Sequence, residues 1–168
     1  MLQKVKVNML ELNPFNMEGE DNFLLTSGNE ANWNTMTCDN GSMGKHWGLP
    51  VFTVGVTRNS YTRSFLENYD NFTICFMPPQ YDKVLEYCGN ITGRGFDKRL
   101  GMGINPYIIE NGFIGFEEAS LIFCCSKLYS NEVVENKFFP ARMRDEIYPT
   151  GDFHTLYTGI IREVYCNE

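Results

Sequence analysis

Alternation of apolar and polar residues with a period of two recurs along the chain and predicts strands. The clearest alternation runs over residues 49–57, where Phe52, Val54 and Val56 point to one face and the residues between them to the other. The same criterion predicts strands over residues 5–9, 22–27, 32–38, 73–77, 113–129 and 155–166. Residues 39–48 are rich in glycine and predict a loop.

Two short segments have helical spacing instead. Ser60 is a typical N-cap for a helix that extends to about residue 69, and a second helix is predicted over residues 81–88 with Gly89 as its stop. The inward residues are Phe65, Leu66 and Tyr69 in the first helix and Val84, Leu85 and Cys88 in the second. The polar segment 131–149 predicts a long surface excursion. Many strands with few helices favour a closed β-barrel over alternating β/α winding.

Length and composition indicate a single globular domain that covers residues 1–168. Apolar residues make up 43% of the chain and charged residues 21%, as in ordinary soluble proteins, and the 14% of aromatic residues favour strands. The six cysteines lack the spacing of a zinc site, and the opening MLQKVKVNML lacks the apolar core of a signal peptide. We therefore expect reduced thiols, a cytoplasmic location and no membrane span.

The formal net charge of −7 argues against general nucleic-acid binding, because phosphate neutralisation needs an excess of lysine and arginine. The charge is unevenly distributed. Residues 58–99 carry six basic and five acidic side chains, whereas the rest of the chain carries eight basic and sixteen acidic ones. The middle of the chain is therefore the natural place to bind a small anion.

The first candidate for binding chemistry is the stretch Asn34, Thr35, Met36 and Thr37, in a predicted strand. Backbone N–H groups and small polar side chains suit the polar edge of a planar ring such as a flavin, and methionine offers apolar contact to its faces. The same stretch is typical of a polar strand end beside a loop.

The second candidate comprises Arg58, Asn59, Ser60, Tyr61 and Thr62, where a predicted strand ends and a helix begins. Unpaired backbone N–H groups and the helix dipole favour an anion at such a place. The hydroxyls of Ser60 and Thr62 and the guanidinium of Arg58 would complete a phosphate pocket. These residues fit a simple N-cap beside a surface arginine equally well.

The third candidate runs from residue 88 to 98, beginning with Cys88, Gly89, Asn90, Ile91, Thr92 and Gly93. Its glycines allow the backbone to wrap closely around a ligand. Lys98 would place positive charge near a phosphate or near the pyrimidine edge of a reduced, anionic flavin. The alternative is a flexible loop with solvated charges. Neither the Walker pattern nor the Rossmann glycine pattern is present.

The fourth candidate is His154, which precedes the last predicted strand in the stretch 151–154. A histidine titrates near neutrality and can contact a cofactor or substrate, although it is more often a structural hydrogen-bonding residue. No residue pattern indicates a nucleophilic hydrolase, and no metal site is predicted. No side chain is therefore predicted to be catalytic.

Taken in order, these segments resemble the flavin reductase-like family, whose members are FMN-binding split barrels. The matching stretches are NTMT at 34–37, WGLP at 47–50, RNSYT at 58–62, CGNITGRGFDK at 88–98 and GDFH at 151–154. Together they cover most of the chain from about residue 28 to 164. Many relatives carry an aromatic residue where this chain has Asn40, so stacking on the ring would fall to Trp33 or Trp47.

The resemblance implies a mainly β fold, a six-stranded Greek-key split β-barrel with a few short flanking helices. It implies a homodimer with one FMN bound per subunit near the interface. By motif, residues 34–37 would line the flavin ring, residues 58–62 would hold the ribityl phosphate, and residues 88–93 would wrap the cofactor. Lys98 would supply charge, and His154 would lie close to the flavin or the substrate.

The function implied is an FMN-dependent oxidoreductase of the flavin reductase type. Such a protein transfers electrons between NADH or NADPH and flavin, or passes them to a downstream acceptor such as a redox protein partner. Two alternatives stay open: an FMN-binding electron carrier without NAD(P)H oxidation, and a non-catalytic barrel that serves as an interaction module. No nucleic-acid or membrane partner is expected.

Overall fold

The computed structural model describes residues 1–15, 22–95 and 97–167. Strand makes up 44% of the structure and helix 24%, so the mainly β class is confirmed. The strands are β1 (Leu2–Val5), β2 (Phe23–Gly28), β3 (Trp33–Cys38), β4 (Gly41–His46), β5 (Leu49–Thr57), β6 (Asn71–Phe76), β7 (Pro106–Ile109), β8 (Phe113–Phe116), β9 (Leu121–Glu132) and β10 (His154–Asn167). The helices are α1 (Tyr61–Asn68), α2 (Asp82–Asn90) and α3 (Arg142–Ile147).

Eight of these strands form one antiparallel sheet in the order β3-β2-β6-β9-β10-β5-β4, with β1 paired to β10. Strands β7 and β8 form a separate hairpin. The large sheet is not closed, and the described residues contain ten strands rather than the predicted six. The pairing of β4 with β5 extends one residue beyond β4, where the carbonyl of Asn40 accepts a backbone hydrogen bond of 2.9 Å from Gly55. The Greek-key order stays a prediction.

Strands β2 and β6 and the first five residues of β9 are buried on both faces, because the sheet curls around one core and a second layer covers its back. Consecutive residues on β2 show this, since Leu25 packs into the inner core and Leu24 into the outer one. Cys124 and Cys125 diverge in the same way, as expected for neighbours on a strand. The outer layer consists of α2 and the β7–β8 hairpin, so α2 is fixed against the sheet beside β3.

The glycine-rich residues 39–48 form strand β4 and a tight turn, so the predicted loop was wrong. Strand β4 pairs with β5 along its whole length. A Cβ on Gly41 would lie 2.9 Å from the rings of Phe23 and Phe52, so this glycine is required by packing against the core. Trp47 and Gly48 both have positive φ, as a two-residue turn between antiparallel strands requires.

Other predicted boundaries shift for local reasons. The run 113–129 is two strands, because the chain turns at residues 117–120 between β8 and β9. The opening strand ends at Val5, and Val7–Met9 form a 3-10 turn. Gly89 does not stop α2, which continues to Asn90. The excursion 131–149 contains the end of β9, a 3-10 turn and α3. No helix in the described ranges is long and apolar enough to cross a membrane.

Candidate functional site

A cleft of about 300 Å³ lies between β3, the β5–α1 corner and the C-terminal end of α2. Its size is at the lower end of that of small-molecule sites. Its lining residues are Asn34, Met36, Thr37, Thr57, Asn59, Ser60, Tyr61, Thr62, Cys88, Gly89, Asn90, Ile91, Thr92, Gly93 and Lys98. The first three candidate segments thus meet in one place, except for Thr35 and Arg58. Thr57 was not predicted, although its position at the end of β5 beside the Arg58 segment could have indicated it.

Asn34 joins the two walls of the cleft. Its side chain is buried, and its Nδ2 donates a hydrogen bond of 2.8 Å to Thr62 Oγ1 on α1. A Cβ on Gly93 would overlap Asn34 Oδ1, so the backbone of the loop after α2 lies directly against this amide. The glycine therefore permits a close approach that no other residue allows.

The β5–α1 corner presents unused donors. Ser60 occupies the N-cap position, but its hydroxyl donates to Met36 Sδ at 3.2 Å rather than capping the helix. The backbone N–H of Arg63 bonds to Ser60 O at 3.2 Å. The N–H groups of Tyr61 and Thr62 have no acceptor among the described residues. They lie at the positive end of the α1 dipole, in the cleft lining, and are available to an anion.

Lys98 forms the opposite wall. Only 3% of its surface is exposed, and its Nζ donates to the carbonyls of Cys88 and Ile91 at 3.1 and 3.0 Å. The ammonium therefore caps the C-terminal end of α2, and burial lowers the pKa of Lys98 below its ordinary value. No residue lining the described cleft is acidic, so the positive charge of Lys98 is not neutralised within it.

Cys88 is an unreactive part of this wall. Burial raises the pKa of its thiol to about 11, although the Lys98 ammonium acts in the opposite direction. The thiol is therefore protonated at neutral pH and is a poor nucleophile. The described residues contain no group of three His, Cys, Asp or Glu side chains that could hold a metal ion.

Three predicted residues lie outside the cleft. Thr35 points to the other face of β3, where it accepts a hydrogen bond from Thr26 Oγ1 at 2.9 Å. Arg58 forms an ion pair of 3.1 Å with Glu132 at the end of β9. His154 begins β10, and its Nδ1 is 2.9 Å from the hydroxyl of Tyr148.

Neither tryptophan is placed to stack on a ligand in the cleft. Trp33 is buried against Phe116, and the guanidinium of Arg99 lies 5.4 Å from its ring. Trp47 is 61% exposed at the β4–β5 turn. Among the aromatic residues of the described chain, Tyr61 lines the cleft, and Arg94 lies 5.6 Å from the centre of its ring.

No protein-family model and no curated protein sequence matches the chain. Solved structures do. Flavoredoxin from Methanosarcina acetivorans shares 20% identity and a TM-score of 0.69, over 88% of this chain and 68% of that one. Flavoredoxin of Desulfovibrio vulgaris shares 17% identity and a TM-score of 0.68, over 99% of this chain and 78% of that one. An NADH:FAD oxidoreductase from Streptomyces globisporus shares 13% identity and a TM-score of 0.66, over 87% of this chain and 75% of that one. The chain therefore has the fold of the flavin reductase-like FMN-binding proteins, as its motifs predicted.

Proposed function

We propose that the cleft binds FMN and that the protein is a flavoprotein oxidoreductase of the flavin reductase type. The observation that carries the proposal is electrostatic. In a chain of net charge −7, the cleft is lined by a buried ammonium, two unused backbone N–H groups and several hydroxyls, without an acidic residue. Such a donor set suits a phosphate monoester better than a neutral or cationic ligand. An FMN-binding protein of Thermus thermophilus with the same fold supports FMN as that ligand.

The positions of the donors suggest where each part of FMN would bind. The N–H groups of Tyr61 and Thr62, with the Thr62 and Ser60 hydroxyls, would hold the phosphate at the start of α1. The β3 wall, with Asn34 and Met36, would line the ring. The loop after α2 reaches the β3 wall at Gly93, so it would enclose the cofactor from the other side.

Bound FMN supplies the redox chemistry, which is two-electron exchange with a nicotinamide or one-electron exchange with a partner. The residues of this chain bind and orient it. The Lys98 ammonium cannot withdraw into solvent, because two carbonyls hold it, and it would stabilise negative charge in the cleft. No side chain needs to act as an acid or a base. Use of NADH or NADPH is part of the proposal, supported by the NADH:FAD oxidoreductase of the same fold.

A second candidate is an FMN-binding electron carrier that passes electrons to a redox protein without oxidising NAD(P)H. Two of the structural neighbours are named flavoredoxins, a name that indicates a flavin and redox function but no nicotinamide. Steady-state assays of NADH and NADPH with FMN, FAD and riboflavin separate the two candidates. Rapid nicotinamide oxidation rejects the carrier. Absence of oxidation by a protein that binds FMN rejects the reductase.

Flavin binding itself is tested by titration of FMN fluorescence and by the visible spectrum. We expect saturable binding by the wild type and a large loss in Gly93→Ala, whose Cβ would overlap Asn34 Oδ1. Gly44→Ala is the matched control, because a Cβ on Gly44 meets no atom within 4 Å. A wild-type protein that stays colourless after incubation with FMN refutes the proposal. The non-catalytic interaction module is then the remaining interpretation.

We also propose a homodimer located in the cytoplasm. The outer face of the large sheet presents the paired hydroxyls of Thr53 and Thr158, 2.8 Å apart, with Tyr129 opposite Thr158 and Trp47 against Tyr129. This face has exposed aromatic rings suited to a second copy. Light scattering should give twice the 19.4 kDa of the chain, and a monomer at micromolar concentration contradicts this part. The six free cysteines suit a reducing compartment.

A further inference from the structure

We propose that Glu132 sets the selectivity of the cleft for phosphorylated over unphosphorylated flavin by holding Arg58 outside it. The inference rests on the proposed function, because it concerns the phosphate end of the same ligand. Glu132 would act as a positioning residue, through Arg58, and would not itself touch the flavin. It lies at the end of β9, in none of the segments that line the cleft.

Arg58 is adjacent to the cleft but does not line it. Thr57, Asn59 and Ser60 on either side of it are lining residues, so its backbone runs along the cleft wall. Its guanidinium instead lies 3.1 Å from Glu132 Oε2. The backbone of Arg58 is therefore next to the proposed phosphate site, while its charged group is engaged by a carboxylate.

The Arg58–Glu132 ion pair is weak enough for Arg58 to bind another acceptor instead. The side chains of Arg58 and Glu132 are 50% and 51% exposed, and solvent-exposed ion pairs contribute little to stability. A phosphate monoester is a doubly charged acceptor that arginine binds in bidentate fashion. When such a group lies at the start of α1, it competes with Glu132 for the same guanidinium.

Glu132 keeps a second partner if Arg58 leaves. Its Oε1 is 3.5 Å from Arg63 Nη2 on α1, and Arg63 also bonds to Glu67 at 2.9 Å. Release of Arg58 therefore does not leave the carboxylate without a counter-ion. Conversely, without a phosphate the carboxylate lies between two guanidinium groups and retains Arg58.

The test compares FMN with riboflavin, which differ only in the phosphate. In Glu132→Gln we expect FMN to bind about three- to five-fold more tightly than in the wild type, because an exposed pair contributes at most a factor of this size. Riboflavin affinity should be unchanged. Glu135→Gln is the matched control, since it removes the same charge from a carboxylate that pairs with Arg144 at 3.1 Å. It should leave the ratio of the two affinities unaltered.

Arg58→Gln completes the test. In the Glu132→Gln background it should abolish the gain in FMN affinity, again without effect on riboflavin. An equal gain for both flavins, or the same gain in Glu135→Gln, overturns the inference and indicates a general effect of net charge. An unchanged FMN affinity in Glu132→Gln also overturns it. If wild-type protein binds neither flavin, the proposed function fails, which is a different outcome.

Discussion

Two cations, one in the cleft and one beside it, are held in opposite ways. Lys98, on the wall after α2, is buried and bonded to the carbonyls of Cys88 and Ile91. Arg58, at the β5–α1 corner, is half exposed and paired with Glu132. One positive charge is therefore part of the folded structure, whereas the other is held by a surface contact.

Because one cation is buried and the other exposed, the two should affect ligand binding differently. A buried ammonium is costly to desolvate and adds a fixed potential to the cleft, independent of which ligand enters. An exposed guanidinium costs little to move and responds to a ligand that offers a better acceptor. We therefore expect Lys98 to affect folding and every anionic ligand, and Arg58 to affect only the phosphate.

The largest effect is expected from Lys98→Met, which keeps an unbranched side chain one atom shorter and removes the charge and its donors. The buried carbonyl of Cys88 and the partly buried carbonyl of Ile91 lose their partner, so the free energy of unfolding should fall by about 2 kcal/mol. FMN affinity should fall about tenfold or more, which corresponds to about 1.4 kcal/mol. Urea unfolding and fluorescence titration measure the two quantities.

The control for Lys98→Met is Lys83→Met, because Lys83 is an exposed lysine on α2. It removes the same charge without exposing a carbonyl. We expect the free energy of unfolding to change by less than about 0.5 kcal/mol and FMN affinity to change little. A Lys98→Met protein as stable as the wild type would show that the C-terminal end of α2 needs no cap, and the contrast between the two cations would not hold.

A smaller effect is expected from Thr62→Val, which removes the hydroxyl that accepts from Asn34 Nδ2. The buried amide is left without this partner, so the free energy of unfolding should fall by about 1–2 kcal/mol. FMN affinity should fall about fivefold, if the hydroxyl contacts the phosphate as proposed.

Thr35→Val is the control for Thr62→Val. Thr35 is equally buried and hydrogen-bonded to Thr26, but it lies outside the cleft. We expect a similar loss of stability with unchanged FMN affinity. If the two variants lose affinity equally, the effect of Thr62 acts through stability alone.

The contents of the cleft could be predicted from the sequence, but the direction of individual side chains could not. Strand alternation, the N-cap and the glycine content identified the segments around Asn34, Ser60 and Gly93, because those features are local. The resemblance to the flavin reductase-like family implied that the three segments meet around one cofactor. Thr35 faces away from Asn34 and Met36, as alternation along a strand requires, but which face of β3 lines the cleft depends on the packing around that strand. The ion pair of Arg58 joins residues 74 positions apart, which no local pattern reveals.

The same limit explains the errors in the fold. Gly41 and Gly44 suggested a loop, because glycine is frequent in loops. In the structure, Gly41 lies against the rings of Phe23 and Phe52, where a side chain would not fit. The need for a small residue came from a tertiary contact, and the sequence shows only that a glycine is present.

An alkaline pH profile distinguishes the cations further, with an expected change of several-fold. Burial lowers the pKa of Lys98 below its ordinary 10.5, and only the protonated amine attracts an anion. FMN affinity should therefore fall as the pH rises through that lowered pKa, before an ordinary lysine would titrate. FMN titrations of the wild type and of Lys98→Met from about pH 7 to about pH 10, below the usual pKa of lysine, measure this fall in affinity. Parallel profiles in the two proteins would assign the fall to another group.

The smallest effect on stability is expected from Arg58→Gln in the otherwise wild-type chain. The pair with Glu132 is half exposed, and Glu132 keeps Arg63 as a partner, so the free energy of unfolding should change by less than about 0.5 kcal/mol. FMN affinity should fall only about two- to three-fold, because Glu132 already competes for the guanidinium. Both values come from the urea and fluorescence measurements used for Lys98→Met. A stability loss above about 1 kcal/mol would mean that the Arg58–Glu132–Arg63 contacts hold the β5–α1 corner in place. Arg58 would then be as much a part of the folded structure as Lys98, and it could not move to a ligand.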